Sequence, residues 1–277
     1  MIILVLIGGT IRELAAKATL YVLAGISTLI LLVVLLGVSS SSIDSGGTSI
    51  MFFGNPISPP GTAEQLADFA SKIEAGLASG LFLGIVLFGV FATAGIVPDA
   101  LEKGTVDLYL SKPISRLELL LGKFLGGAVV IFLNIAFFIG CLWAIVGVKL
   151  GVWNLPFLIS SVSMSFVFAC LFAIVVFFGV LSRNMAIAII SGFTYLFIIA
   201  ELLQNRENGL FRLSENTVYR SAIDALYYAL PQIPGMQRNM ANFIIGQNVV
   251  WQPFLQSFLS AVAILGLSVV LLRSKDF

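Results

Sequence analysis

The sequence predicts an all-α integral membrane protein with six transmembrane helices. Three observations carry this reading. Of the 277 residues, 59% are apolar and only 10% charged; long stretches contain no Asp, Glu, Lys or Arg; and Lys and Arg gather in alternate connecting segments. A soluble domain is about 25% charged, and a mean hydropathy of +1.06 points to lipid as the solvent.

A spanning helix needs about 20 apolar residues at a rise of about 1.5 Å each. Stretches that meet this lie at 18–38, 76–97, 124–148, 157–181, 185–203 and 253–272. The fifth is the weakest, because Glu201 intrudes near its end. Ahead of the first span, Met1 to Leu6 are apolar, but Arg12 and Lys17 follow them instead of preceding them, the wrong order for a secretory signal. Ile3, Ile7, Ile11, Leu14 and Ala18 fall on one helical stripe, while Gly9, Arg12, Glu13 and Lys17 fall on another face. This predicts an amphipathic helix over 1–17 lying in the membrane interface. The alternative is that these residues extend the first span.

Orientation follows from the basic residues of the short loops. Arg12, Lys17, Lys103, Lys112, Arg116, Lys123, Arg183, Arg273 and Lys275 share the side of the two termini, and Lys72, Lys149, Arg206, Arg212, Arg220 and Arg238 are spread over longer loops on the other. Both termini are therefore expected in the cytoplasm (N-in/C-in). The outer loop 39–75 begins Ser/Gly-rich, passes Pro59-Pro60-Gly61, and then shows Thr62-x-x-Gln65, a capping box that predicts a short helix with Leu66, Phe69 and Ile73 on one face. The outer loop 204–252 contains a helical pattern from Thr217 to Leu230, with Ala222, Leu226 and Leu230 in register, stopped by Pro231 and Pro234. Together these segments are expected to form an external cap.

Composition excludes several functions. The 15 basic and 14 acidic residues leave +1, so no nucleic-acid partner is expected. The chain has no histidine, which removes the commonest general base and the usual ligand of haem and catalytic zinc. No metal site is expected. Cys141 and Cys170 lie in apolar runs and read as buried thiols. Ion-coupled carriers and proton pumps need ionisable groups within the hydrocarbon, and the six spans hold none before Glu201. Asn134 is the main polar group inside a span, and a hydrogen bond between helices accounts for it. The protein is thus expected to move only when something outside the membrane moves it.

The loop 98–123, between the second and third spans, is the place to receive that motion. Gly104 can end a helix, Thr105 can cap a new one with Asp107 in its first turn, and Pro113 breaks it. Ser115-x-x-Glu118 is a second capping box that opens the helix into the third span. The outcome is a short transverse helix with Val106, Leu108 and Leu110 available to a partner. The run Glu102-Lys103-Gly104-Thr105, then Asp107-Leu108, Leu110-Ser111-Lys112-Pro113-Ile114-Ser115-Arg116, Glu118-Leu119 and Gly122-Lys123 resembles the signature of ABC transporter permeases of the type 2 exporter class. Tyr227 to Pro231 and the closing Arg273-x-Lys275-Asp276-Phe277 are similar to weaker features of those permeases.

The resemblance implies a permease that pairs with a second copy or a paralogue and docks two ABC ATPase subunits on its cytoplasmic side. By position it makes the 102–116 segment a coupling helix and the 1–17 segment an elbow helix. The ATPase-coupling residues would be Glu102, Lys103, Gly104, Thr105, Asp107, Leu110, Ser111, Lys112, Pro113, Arg116 and Glu118, with Arg183 in the turn Ser182-Arg183-Asn184 as a smaller contact. The sequence holds no Gly-x-x-x-x-Gly-Lys-[Ser/Thr] phosphate loop, so this chain is expected to carry no cofactor, with ATP and Mg2+ held by the partner. An intramembrane enzyme is disfavoured, since no nucleophile and base stand at usable spacing. A membrane scaffold or anchor without transport is the alternative function.

Pairing is expected along small residues that allow close approach: Gly76, Gly80, Gly84 and Ala92 in the second span, and Ala186, Ala188 and Gly192 in the fifth. Gly80, Gly84, Asn134 and Gly192 are the candidate interface and pathway positions. Phe82, Phe88, Phe91, Phe132, Phe137 and Phe138 are available to line an apolar path, or to face lipid. Met236 and Met240, four apart, read as packing and not as soft-metal ligands. The substrate is not legible.

Overall fold

The computed structural model describes residues 2–42, 48–102 and 114–274. Six of its helices are long and apolar enough to cross a membrane. The first helix, α1 (Ile2–Ala15), is separate from α2 (Ala18–Gly37). The break falls at Lys17, whose backbone is extended (φ −84, ψ 131), so the residues before it do not simply prolong the first span. The face of α1 that is buried carries Leu6, Thr10 and Leu14, one position round from the expected isoleucine stripe.

The first far loop forms a small antiparallel sheet, β1 (Val38–Ser42), β2 (Thr48–Phe52) and β3 (Asn55–Pro56), in the order β1-β2-β3. Ser39 stands opposite Met51 and Phe52 opposite Asn55. The tight β2–β3 turn is made by Phe53 and Gly54, both at positive φ (48 and 80), the geometry that matches strand twist in a two-residue hairpin. A serine run without apolar alternation gave no sign of a strand. The expected capping box is present: Gln65 N donates to Thr62 Oγ1 at 3.4 Å and Thr62 N to Gln65 Oε1 at 3.0 Å. However, the helix it opens is not short. Nothing between Lys72 and Gly76 breaks it, and α3 (Ala63–Thr93) runs on as the second span. Pro98 has no N–H to give the Ala94 carbonyl, so α3 stops and a short α4 (Ile96–Ala100) follows.

The remaining spans are α5 (Arg116–Leu150), α6 (Leu155–Ser182), α7 (Met185–Thr194), which passes through a π-helical turn at Tyr195–Ile199 into α8 (Ala200–Gln204), and the last, α11 (Gln252–Ser274). Helix α6 is the centre of the bundle. From Cys170 to Val176 every residue is buried, which a helix reaches only when it is enclosed on all sides. Phe124, Phe172 and Phe168 stack in series, with centroids 5.4 and 5.7 Å apart. At the other extreme, α2 buries only Leu23, Ser27, Leu31 and Gly37.

The second far loop overturns the expected cap. Helix α9 (Thr217–Ala229) leads into the bundle and α10 (Ile233–Ile244) leads back out. Pro234 does not stop a helix; it sits in the first turn of α10, where a missing N–H costs nothing. Tyr195 hydroxyl donates to Pro231 O. Since Tyr195 is midway along the fifth span, between Met185 and Gln204, the tip of this hairpin reaches about half the bundle depth.

Irregular backbone at membrane depth survives only where its polar groups are satisfied inside the protein, and here they are. Gln232 N donates to Ser257 Oγ at 2.8 Å, Gln232 Nε2 to Gln256 Oε1 at 2.6 Å, and Gln256 Nε2 to Tyr227 O at 2.9 Å. Ile233, Met236, Met240 and Ile244 are buried beside it, so the two methionines are packing residues. On α9 the buried residue is Ile223, not Leu226, which is exposed.

Replacing Ser257 by alanine leaves the Gln232 N–H buried without an acceptor, at a cost of about 1–3 kcal/mol. Thermal unfolding of the purified protein should show a clear loss of stability for Ser257→Ala and near-native behaviour for Ser274→Ala, whose hydroxyl is exposed. Equal melting of the two variants would show that the hairpin tip is not held by this bond.

Candidate functional site

At the end of the bundle that carries the described termini, the two borders of loop 98–123 are fixed to three other helices. Lys17, the residue between α1 and α2, bonds Asp99 of α4 at 2.8 Å and stands 4.0 Å from Glu13. Glu13 also pairs with Lys123 of α5, whose ammonium side chain is only 4% exposed. Glu13, Lys17, Asp99 and Lys123 thus tie α1, α2, α4 and α5 into one ionic chain.

None of the four stood out as a site in the sequence. The signal was Lys123 at the threshold of a long apolar run, where a buried cation requires an anion from elsewhere. A second signal was Gly122-x-x-x-Gly126, the small-residue spacing that lets helices approach closely. A Cβ at Gly122 would fall 2.5 Å from that of Leu6, and one at Gly126 would fall 2.6 Å from that of Thr10. These glycines are what allow α1 to lie directly on α5.

The far border of the loop is equally fixed. Ser115 Oγ and N both meet Glu118 Oε2 at 2.8 Å, and Glu118 N donates to Ser115 Oγ at 3.2 Å, so the second capping box forms and Glu118 is part of it. Arg116 donates to the carbonyls of Leu272 and Arg273, at 2.5 and 3.0 Å. Its guanidinium caps the last turn of α11, where carbonyls lack helical partners and a cation is favoured.

Glu102 is exposed at the edge of the described loop. The residues Lys103, Gly104, Thr105, Asp107, Leu110, Ser111, Lys112 and Pro113 lie outside the described residues. Arg183 occupies the turn between α6 and α7 in a left-handed conformation (φ 53), its N–H bonded to Gly179 O at 2.9 Å. This turn adjoins the loop's first border: a Cβ at Gly179 would meet Pro98 Cδ at 3.3 Å, and one at Gly95 would meet Met185 Sδ at 3.2 Å. The α6–α7 turn thus lies beside the residues from which the loop departs.

The interface candidates divide. An added Cβ at Gly80 or Gly84 would meet nothing within 4 Å; Gly76 and Gly80 are exposed, whereas Gly84 is half-buried and lines a small cavity against Leu23, Ser27 and Ile30 of α2. Gly192 is buried: its Cβ would fall 2.7 Å from Val175 Cγ2, and Ala188 is also buried. Those small residues of the fifth span serve packing within the chain, which corrects the expectation of an interface there. Asn134 accepts from Ser27 Oγ at 3.4 Å, a bond between α5 and α2. Phe82 and Phe138 belong to the core, whereas Phe88, Phe91, Phe132 and Phe137 are exposed on the single chain.

The ionic chain makes a ranked prediction. Glu13→Gln removes an anion paired with a buried cation and should destabilise the protein, by up to about 3–5 kcal/mol. Lys123→Met removes the cation and leaves a carboxylate that is 30% exposed, which water can solvate, so its cost should be smaller. Melting temperatures in the reverse order would contradict this assignment.

No curated protein matches the chain. A family model described as "ABC-2 family transporter protein" matches residues 29–277, which takes in the second half of the first span, the other five spans and the loop at 98–123. The chain belongs to the ABC-2 transporter family and, with six helices long and apolar enough to cross a membrane, is a multi-pass membrane protein of the permease type.

Proposed function

We propose that this chain is the membrane-spanning permease subunit of an ATP-driven exporter, working by alternating access, with ATP and Mg2+ bound by separate ABC ATPase subunits. Its place is the cell (inner, cytoplasmic) membrane, with the terminal end of the bundle in the cytoplasm, α1 as elbow and the 102–116 segment as coupling helix. Family membership supports the class. The observation that carries the mechanism is the double anchorage of loop 98–123. Asp99–Lys17 holds one border to α1 and α2, while Arg116 holds the other to the end of α11. A push on a loop mounted this way moves five helix ends together, which is what a transmitter of force requires.

Spans without internal charge offer no lined aqueous route through one chain, so the path belongs on the axis between two permeases, identical or paralogous. The exposed Gly76 and Gly80 supply a face for close approach. Gly192 does not contribute to it.

The test uses the chain together with its ATPase. Glu102→Lys combined with Lys112→Glu reverses charge on the loop without touching the anchors. Association with the ATPase, or ATP hydrolysis stimulated by the permease, should fall at least fivefold while expression and melting stay near normal. Arg116→Gln, in contrast, should lower melting, because it uncaps α11. Full coupled activity in the double variant would reject the loop as the docking element and favour a non-transporting anchor.

A further inference from the structure

The far end of the bundle holds a carboxyl group that the transport reading does not use. Glu74 of α3 is 1% exposed. Helix α3 with α4 spans 38 residues, about 57 Å at about 1.5 Å per residue, far more than the roughly 30 Å of hydrocarbon. Glu74 lies before the charge-free stretch at 76–97, level with the α5–α6 connection, and so above the spanning part. Its Oε2 accepts from Asn154 Nδ2 at 2.7 Å, while its Oε1 is buried with no hydrogen-bond partner. The same Asn154 amide donates to Ile244 O at 3.1 Å, in the last turn of α10. One amide thus joins Glu74 to the outward arm of the inserted hairpin.

No cation answers this carboxyl, and no ion pair involves it among the described residues. On α3 itself, Glu64 is exposed and Asp68 is paired with Lys72 at 2.7 Å on the surface. Arg238 is the charged residue of α10, and it is exposed; α5 contributes Lys149 in its last turn. Strand β2, the 151–154 connection and the first half of α6 carry no charge. A cavity of about 740 Å³ is lined by Glu64, Asp68 and Ser71 of α3, by Asn154 and by Ile244. Glu74 lies one turn deeper on α3, three residues beyond Ser71, and its partner Asn154 lines the cavity.

We propose that Glu74 is a proton-binding site, and that its ionisation, by leaving an anion buried without a counter-ion, favours an open hairpin in which Asn154 no longer joins α3 to α10. An ionised carboxylate with one oxygen unsolvated and no counter-ion is far costlier to bury than the neutral acid. Burial pushes the Glu74 carboxyl up to about 7, against the lowering effect of the Asn154 hydrogen bond. In an opened hairpin the group returns to water and to the ordinary carboxylate value of 4.5. The closed form therefore holds a proton that the open form has lost between these two values. Closure is favoured in acid, weakens as pH rises past 4.5, and levels off above about 7.

Hydrogen–deuterium exchange of the 233–244 amides, in the intact chain in lipid nanodiscs, tests this, comparing wild type with Glu74→Gln at matched pH. Glutamine is a neutral isostere of the protonated acid and should hold the hairpin closed. At pH 8 wild type should exchange faster than Glu74→Gln, by at least tenfold and up to ~300-fold, the ratio of the two proton affinities; at pH 5 the difference should shrink to about fourfold. Glu64→Gln should track wild type throughout. A wild-type-to-variant ratio that is the same at both pH values, or a Glu74→Gln chain that exchanges as fast as wild type at pH 8, would overturn the proposal. Neither result depends on ATPase coupling, so the transport reading stands or falls separately.

Discussion

Because a bilayer offers no water to backbone amides and carbonyls, the whole fold is arranged so that polar groups at depth find partners inside the protein. Six helices satisfy themselves. The hairpin of α9 and α10 cannot, since its tip carries two prolines within four residues, Pro231 and Pro234, and it is the exception that organises the interior. Tyr195, Gln256 and Ser257 close around it, the fifth span adopts a π-turn where Tyr195 points in, and α6 is enclosed because α10 occupies the side that lipid would otherwise cover. π-Turns are commonly kept where a helix must aim a side chain, and here the target is the Pro231 carbonyl.

The two ends of the bundle use charge differently. At the terminal end, Glu13, Lys17, Asp99 and Lys123 form a continuous chain of opposite signs, and Arg116 meets helix-end carbonyls. Such contacts fix direction and register as well as stability, which suits a segment that must pass force without bending. At the far end, Glu74 has an amide and no counter-charge.

Much of this was legible from the chain. Hydropathy located the spans to within a few residues at most ends, and Thr62-x-x-Gln65 and Ser115-x-x-Glu118 marked real helix starts because a capping box is a local device that needs no tertiary partner. What failed was tertiary. The capping box could not say that its helix would run on to Thr93, and a Ser-rich segment gave no cue that it would pair with Thr48–Phe52. The inserted hairpin has the composition of a surface loop, and only its partners, Tyr195 and Ser257, reveal its depth. Gly192 and Gly80 look alike in sequence, yet one is filled by Val175 and the other faces open space. The contact of Arg116 with the carbonyls of Leu272 and Arg273 was not legible, because these partners lie more than 150 positions away in sequence.

The terminal end of the bundle is expected to move only when force reaches it from a bound partner. The most direct measurement places spin labels at Ser182, in the α6–α7 turn beside Pro98, on both permeases of the assembled complex and follows their separation by pulsed electron resonance in lipid vesicles. The account predicts a change of several ångströms when ATP and Mg2+ are added, and none when only a proton or sodium gradient is imposed. A separation that responds to the gradient and ignores ATP would contradict it.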